Sequence, residues 1–404
     1  MKVIRVLAII AVLPALFTCD NEFISDAAKT ISPDQPSSHV YYIKKSSDMK
    51  KITDVFGPDG DEKDNTDPSG VTFVLGANIS YNGDTIASFK SNLLGNGYTL
   101  TVNKTLFASS DGAKISGLVI SASANISGSG ESVGIIVNDA ADTTFTNVFV
   151  KGNINTKDTT NIGLIAGKAV DCTVTRCGAV GNITADYENV VDSNSNTGGL
   201  IGDSEALITN SFYSGTITVT DPLSSDSSTL NVGGLVGINQ VGIAASLMNG
   251  HFNVTSGNND EDGAATVNIG GIAGSNSGNI NSAVVAVKEI ITTFDITVTL
   301  NLGRVVGDTS TGSSMDNNYG FGGMEPTGLT GWTSWTDVTS TGKDGDDADI
   351  TALTEGSAFY EGIEWRFGST GSAPWQAGEV GSNWPLPKLY TTPNPGSIVP
   401  LDEP

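Results

Sequence analysis

Apolar residues in the middle of this 404-residue chain come in short runs that glycine and asparagine interrupt at a nearly constant period. A seven-residue block recurs six times: Ser132-Val-Gly-Ile-Ile-Val-Asn138, Asn161-Ile-Gly-Leu-Ile-Ala-Gly167, Asn196-Thr-Gly-Gly-Leu-Ile-Gly202, Asn231-Val-Gly-Gly-Leu-Val-Gly237, Asn268-Ile-Gly-Gly-Ile-Ala-Gly274 and Asn301-Leu-Gly-Arg-Val-Val-Gly307. Successive blocks start 29, 35, 35, 37 and 33 residues apart. Such self-similarity marks stacked units, because one unit of this length cannot bury its own apolar face. Glycine is third in every copy, at Gly134, Gly163, Gly198, Gly233, Gly270 and Gly303. That position needs either a bend at positive φ or a close backbone approach. The fifth residue is always Ile, Leu or Val and is the expected core column. Asparagine opens five copies, at Asn161, Asn196, Asn231, Asn268 and Asn301. Identical amides stacked one above another can hydrogen-bond along the stack, so an asparagine ladder is expected.

A second β-rich element follows each block, as in Asn147-Val-Phe-Val-Lys-Gly-Asn-Ile154 and Asn210-Ser-Phe-Tyr-Ser-Gly-Thr-Ile217. Aligned on their glycines, Val148, Cys177, Ser211, Ser246 and Ala283 share a column of small residues, expected at an inward corner. Each unit then holds two or three strands of about six residues, paired in parallel with the next unit at about 4.8 Å. Degenerate rungs are expected earlier, at 71–79, 94–102, 106–107 and 115–120. Before them, 47–57 reads as a helix with Met49, Ile52, Val55 and Phe56 on one face and Gly57 as its stop. A helix there would cover the open end of the first rung, where bare strand edges invite polymerisation. After Gly307 the repeat stops, and all five tryptophans (Trp332, Trp335, Trp365, Trp375 and Trp384) follow it. They are expected to close the second end, with an aromatic platform for sugar rings as the alternative. The fold class is all-β, a parallel β-helix capped at both ends. The expected divisions are a leader at 1–18, a tether at 19–39, an N-terminal cap at 40–70, the β-helix at 71–308 and a C-terminal cap at 309–404.

Charge narrows the partners. Acidic residues number 44 against 20 basic, for a net charge of −24, which opposes binding to nucleic acid or to an anionic membrane face. Only 16 % of residues are charged, and the abundance of small polar residues suits strands joined by turns. Cys172 and Cys177 are five apart. In one extended strand their Cα atoms would lie roughly 16 Å apart, beyond bridging distance, so free thiols are expected unless a turn intervenes. Cys177, in the small-residue column, reads as a buried hydrophobe rather than a nucleophile.

Two stretches resemble known families. Lys2 and Arg5 precede an apolar run at 6–17, too short to span a bilayer, and the run ends in Leu16-Phe17-Thr18-Cys19. This resembles a bacterial lipoprotein signal, although Thr18 departs from the preferred Gly, Ala or Ser. The resemblance implies cleavage before Cys19, acylation of that residue and anchorage in a lipid bilayer. The implied location is the cell envelope, at the outer membrane and cell surface or on the periplasmic face of the inner membrane. The polar stretch 20–39 then reads as a flexible tether. The Gly-Gly-Leu-Val-Gly blocks with their trailing Asn-Ser-Phe-Tyr-Ser-Gly-Thr-Ile resemble the GLUG motif over roughly 130–310. That repeat occurs in bacterial secreted and surface proteins, including adhesin-like proteins and the non-catalytic parts of immunoglobulin A peptidases. It implies a right-handed parallel β-helix and no specific activity.

Catalytic signatures are sparse. There is no HExxH, and His39 and His251 are the only histidines, which argues against a zinc peptidase and leaves little for a Ser-His-Asp triad. Gly-Gly-Leu-Val-Gly lacks the lysine and following helix of a phosphate loop. Carbohydrate-active β-helices need clustered carboxylates beside a basic residue, and no Asp pair is expected to repeat on one face here. Asn258, Asp260 and Asp262 occupy the first, third and fifth places of a calcium loop, but Ile269 stands where the bidentate Glu belongs. Calcium is thus the one cofactor left open, and solvated loops account for the acidic stretches at 59–67 and 344–349. The expected function is a non-enzymatic, lipid-anchored scaffold that binds a glycan or a host or surface protein. A carbohydrate-active enzyme and a purely structural envelope protein are the alternatives.

Overall fold

The computed structural model describes residues 39–56, 68–128, 130–187, 194–221, 228–256, 266–294, 298–354, 356–368, 373–378 and 386–389. Cys19 and the leader, the 59–67 loop, the Asn258, Asp260 and Asp262 loop and Trp384 lie outside them. The described chain winds into a β-solenoid of about seven turns. One turn shows the plan. Ser195–Gly198 forms a short strand, a tight arch leads into Ile201–Thr209, a corner at Asn210 leads into Phe212–Asp221, and the chain then climbs to Thr229–Gly233 in the next turn. Corresponding strands pair in parallel, so the solenoid is walled by sheets of 16, 14 and six strands. The blocks supply the six-stranded sheet, in which Asn161, Asn196, Asn231, Asn268 and Asn301 stand in one register.

The block glycines are explained by crowding, not by positive φ. A Cβ on Gly134, Gly198 or Gly233 would sit 2.2, 2.1 or 1.8 Å from the carbonyl oxygen three residues on, and the Cα of the next rung is under 3 Å away. None of the six has a positive φ. The arch between the six- and 16-stranded sheets is so tight that only a residue without a side chain fits. A second glycine column works across rungs: a Cβ on Gly181, Gly215 or Gly250 would lie 1.7, 1.9 or 1.9 Å from the carbonyl of Gly152, Gly181 or Gly215 below.

Positive φ appears at the other corner. Gly117, Asn147, Arg176, Asn210, Ala245, Ser282 and Asn317 all have φ between 48° and 56°. Glycine and asparagine accept this conformation readily, whereas Arg176 and Ala245 are held in it by the rungs on either side. Each turns the chain inward, so that Leu118, Val148, Cys177, Ser211, Ser246, Ala283 and Asn318 are fully buried. Ser211 Oγ accepts the Cys177 amide (3.1 Å) and Ser246 Oγ the Ser211 amide (3.2 Å), tying the corner together rung by rung. Arg176 is the turn that separates Cys172 from Cys177, and both cysteines are free and buried. Burial pushes their thiols up to about 11 and about 12, which removes nucleophilic thiolate at neutral pH.

Inside the stack, Ile136, Ile165, Leu200, Leu235, Ile272 and Val305 form a continuous, fully buried column. The asparagines run beside it. Asn196 Nδ2 donates to Asn161 Oδ1 at 2.8 Å, Asn231 to Asn196 at 2.9 Å, Asn268 to Asn231 at 2.8 Å and Asn301 to Asn268 at 2.8 Å. Facing sheets also trade volume. Gly199, Gly234 and Gly271 make room for Tyr213, Met248 and Val285, and in the last block the pair inverts, with Arg304 against Gly320.

The ends differ from the sequence expectation in three ways. Val40–Ile43 pairs in register with Thr72–Leu75, so the N-terminal segment begins as a strand of the 16-stranded sheet. The helical turns Ser46–Met49 and Lys50–Phe56 follow, burying Met49 and Ile52, and Lys51 Nζ donates to Tyr42 O at 2.8 Å. The solenoid also continues past 308, because Ser314–Asp316, Tyr319–Phe321 and Glu325–Thr327 pair with the rung below. Those strands lack the block, so periodicity did not reveal them.

The third difference concerns the tryptophans. Trp335 does pack at the end, 5.9 Å from the buried Arg304 guanidinium, which also reaches Asp347 Oδ1 (2.6 Å) and the carbonyls of Asp344 and Gly345 (2.9 Å each). Asp344, from the acidic 344–349 stretch, is buried and accepts the Asp337 amide at 2.9 Å. Trp365 and Trp375 instead run back along the flank of the 14-stranded sheet. Trp365 Nε1 donates to Ser282 O (2.7 Å), Trp375 Nε1 to Asn210 Oδ1 (3.3 Å), and Phe359 packs edge-on against Tyr319. By strand alternation Phe212, Leu247 and Val284 point outward there, yet all three are fully buried. The tail is a strap over an apolar flank, because those outward residues need a cover that the solenoid itself does not supply.

Two outcomes are expected. Asn231→Ala, which orphans a buried donor and a buried acceptor, should cost about 3 kcal/mol in denaturant unfolding, against about 1 kcal/mol for Asn301→Ala at the ladder's end. Trp375→Ala should accelerate amide exchange in Phe212–Asp221 while the asparagine rungs stay protected; uniform exchange would contradict a strap.

Candidate functional site

Two outer faces carry the exposed chemistry. The first lies on the 14-stranded sheet beyond the second glycine column. There Ile154, Ile183, Ile217, Phe252 and Ile290 point into the core, and their neighbours point out. One outward rank is Asn155, Thr184, Thr218, Asn253, Ile291 and Thr327. The next rank, two residues on, contains Lys157, Asp186, Thr220, Thr255 and Thr293. On the near side Asn153 Oδ1 accepts the Asn182 amide (2.8 Å) and Asn182 Oδ1 the Thr216 amide (3.0 Å), anchoring a third rank to the glycine bend. His251 and Glu289 continue that rank, and Thr327 Oγ1 donates to Glu289 Oε1 at 2.9 Å. The face is flat, because parallel in-register rungs repeat at about 4.8 Å. It presents hydroxyls, amides and threonine methyls at regular spacing, with Ile291 as its exposed aliphatic residue.

The second face corrects a sequence expectation. On the 16-stranded sheet, register places Ser109, Asp139, Lys168, Asp203, Ile238, Ser275 and Asp308 in one outward row. Carboxylates therefore do share a face with a basic residue. The row leaves no local motif in the sequence, because Asp139 and Lys168 are 29 residues apart and Lys168 and Asp203 are 35 apart. All three stand one place after the seventh block position, so extending the block by one residue would have found them. Lys168 Nζ lies 3.1 Å from Asp203 Oδ2, and Gln240 Nε2 donates to Asp203 Oδ1 at 2.8 Å. Asp203 is buried. The hydrogen bond from Lys168 to Asp203 raises the lysine pKa, and the charges of Asp203, Glu205 and Asp139 add to it. Lys168 is therefore held as an ammonium and is no base at neutral pH.

The residues singled out by sequence fall mostly inside the wall. The block glycines line backbone contacts, Asn196, Asn231 and Asn268 form a buried amide row, and Asn161 and Asn301 are half-buried at its two ends. Cys172 and Cys177 are buried. Among the described residues no three His, Cys, Asp or Glu side chains are grouped to hold a metal ion. No described helix is long and apolar enough to cross a membrane.

No family model and no curated protein matches the chain. Among solved structures, an IgA1 protease is similar in fold, with a TM-score of 0.50 and 20 % sequence identity over 73 % of this chain. The match covers 22 % of that protease chain, so this chain corresponds to a small part of it.

Proposed function

We propose that the chain is a lipid-anchored envelope protein of the GLUG-repeat type whose β-helix is a non-enzymatic binding scaffold, with a glycan or a surface protein as its ligand. The observation that carries this reading is the flat polar face of the 14-stranded sheet. Its ranks of mostly Thr and Asn donors and acceptors suit sugar hydroxyls or peptide groups, and rigid rungs hold them in place at little entropic cost. The IgA1 protease neighbour is compatible with a β-helix used as a presenting surface, and it brings no activity to this chain. Cys19 would carry the acyl chains, and two or more such chains give stable anchoring where one does not.

The competing reading, a carbohydrate-active enzyme, draws on the row Asp139, Lys168 and Asp203. Two rungs put the Asp139 and Asp203 backbones about 9.6 Å apart, near the spacing used by inverting glycosidases. Against it, Asp203 is engaged by Lys168 and Gln240, and Lys168 is held protonated by that contact where a lyase needs a free base.

Cys19→Ser should abolish palmitate labelling and shift the protein from the membrane to the soluble fraction; unchanged labelling would remove the lipoprotein reading. On a glycan array the intact protein should retain specific sugars without cleaving them, and Thr218→Lys should reduce retention about tenfold by placing a charge mid-face. Release of reducing or unsaturated ends that Asp203→Asn abolishes would establish the enzyme instead.

A further inference from the structure

The asparagine ladder is unfinished at its upper end. Each rung donates Nδ2 downward and accepts on Oδ1 from above, so Asn301 Nδ2 is used by Asn268 while Asn301 Oδ1 has no donor among the described residues. The strand that carries it, Thr299–Gly303, is the last of the six-stranded sheet and pairs only with Thr266–Gly270 below. Among the described residues no backbone group bonds the upper edge of 299–302; the cap begins beside Gly303, where a Cβ would meet Lys343 O at 2.9 Å, and at Arg304, whose amide donates to Asp344 Oδ1 at 3.3 Å. Leu300 and Leu302 are half-buried, whereas their counterparts Leu230, Val267, Val232 and Ile269 are fully buried under the next rung. By contrast, the adjoining 14-stranded sheet at this end continues into Asp346–Ala348, and Lys51 covers the exposed Tyr42 carbonyl at the other end.

We infer that the upper edge of residues 299–302 is a strand-accepting site for an extended peptide with asparagine between two aliphatic residues, taken up in parallel. The edge supplies backbone donors and acceptors, as in strand addition to other open sheets. Asn301 Oδ1 reads the incoming asparagine by accepting its Nδ2–H, continuing the same contact that joins every lower pair of rungs. Leu300 and Leu302 select aliphatic side chains on either side by being covered, as the lower columns are. The site is separate from the polar face, and its occupant needs no lipid anchor or sugar.

The test uses the full-length chain and a dye-labelled peptide with the sequence of residues 228–233, Ser-Thr-Leu-Asn-Val-Gly, followed by fluorescence anisotropy. Saturable binding is expected. It should weaken about five- to tenfold when the peptide asparagine becomes alanine, the loss of one neutral hydrogen bond. Leu300→Lys in the protein, checked for an unchanged circular dichroism spectrum, should weaken it further. Absence of saturable binding, or equal binding by the alanine peptide, would overturn the site. A concentration-dependent dimer that the peptide fails to dissociate would assign the edge to a second copy and also overturn it.

Discussion

Everything in this solenoid depends on backbones coming closer than side chains allow. Where the arch joins the six- and 16-stranded sheets, and where Gly152, Gly181, Gly215 and Gly250 stack, a single Cβ would fall about 2 Å from a carbonyl oxygen. These contacts set the rung spacing, and the spacing in turn lets amide meet amide along the asparagine ladder. The ladder is stabilising because it is complete inside the stack. A buried amide left unpaired costs more than a satisfied one contributes.

A stack built this way has flanks and ends that each need their own solution. The apolar outward row Phe212, Leu247 and Val284 is covered by the tail that carries Trp365 and Trp375. The upper end is closed in part by an inversion of the packing rule, with Arg304 in the place held by glycine below and Gly320 in the place held by Tyr213, Met248 or Val285. The guanidinium then organises the cap through Asp347 and the carbonyls of Asp344 and Gly345. Among the described residues, the edge of the six-stranded sheet at 299–302 has no strand above it. The exposed polar face is a by-product of the same regularity: once the inward positions are aliphatic, the outward ones are free to vary, and here they are mostly Thr and Asn.

The repeat, its glycine and asparagine columns and the aliphatic core were legible in the sequence, because stacked identical positions leave a periodic trace. The inward corner was legible too, in the small-residue column from Val148 to Ala283, but not its left-handed conformation at Asn147, Arg176, Asn210 and Ala245, which neighbouring rungs impose on residues as different as Arg and Ala. Nor was the row Asp139, Lys168 and Asp203, whose members belong to different turns.

The sequence by itself determined that the chain must stack, in which direction its strands pair, and which residues face inward. Those are consequences of local period and of steric demands within a few residues. Only the tertiary structure decided that the block glycines serve close approach and not positive φ, that strands beyond 308 complete the turn opened by the last block, and that two tryptophans strap the flank. It also decided which charges meet. These features depend on contacts between residues from different turns, up to 165 positions apart for Trp375 and Asn210, and contacts at that range leave no period to read.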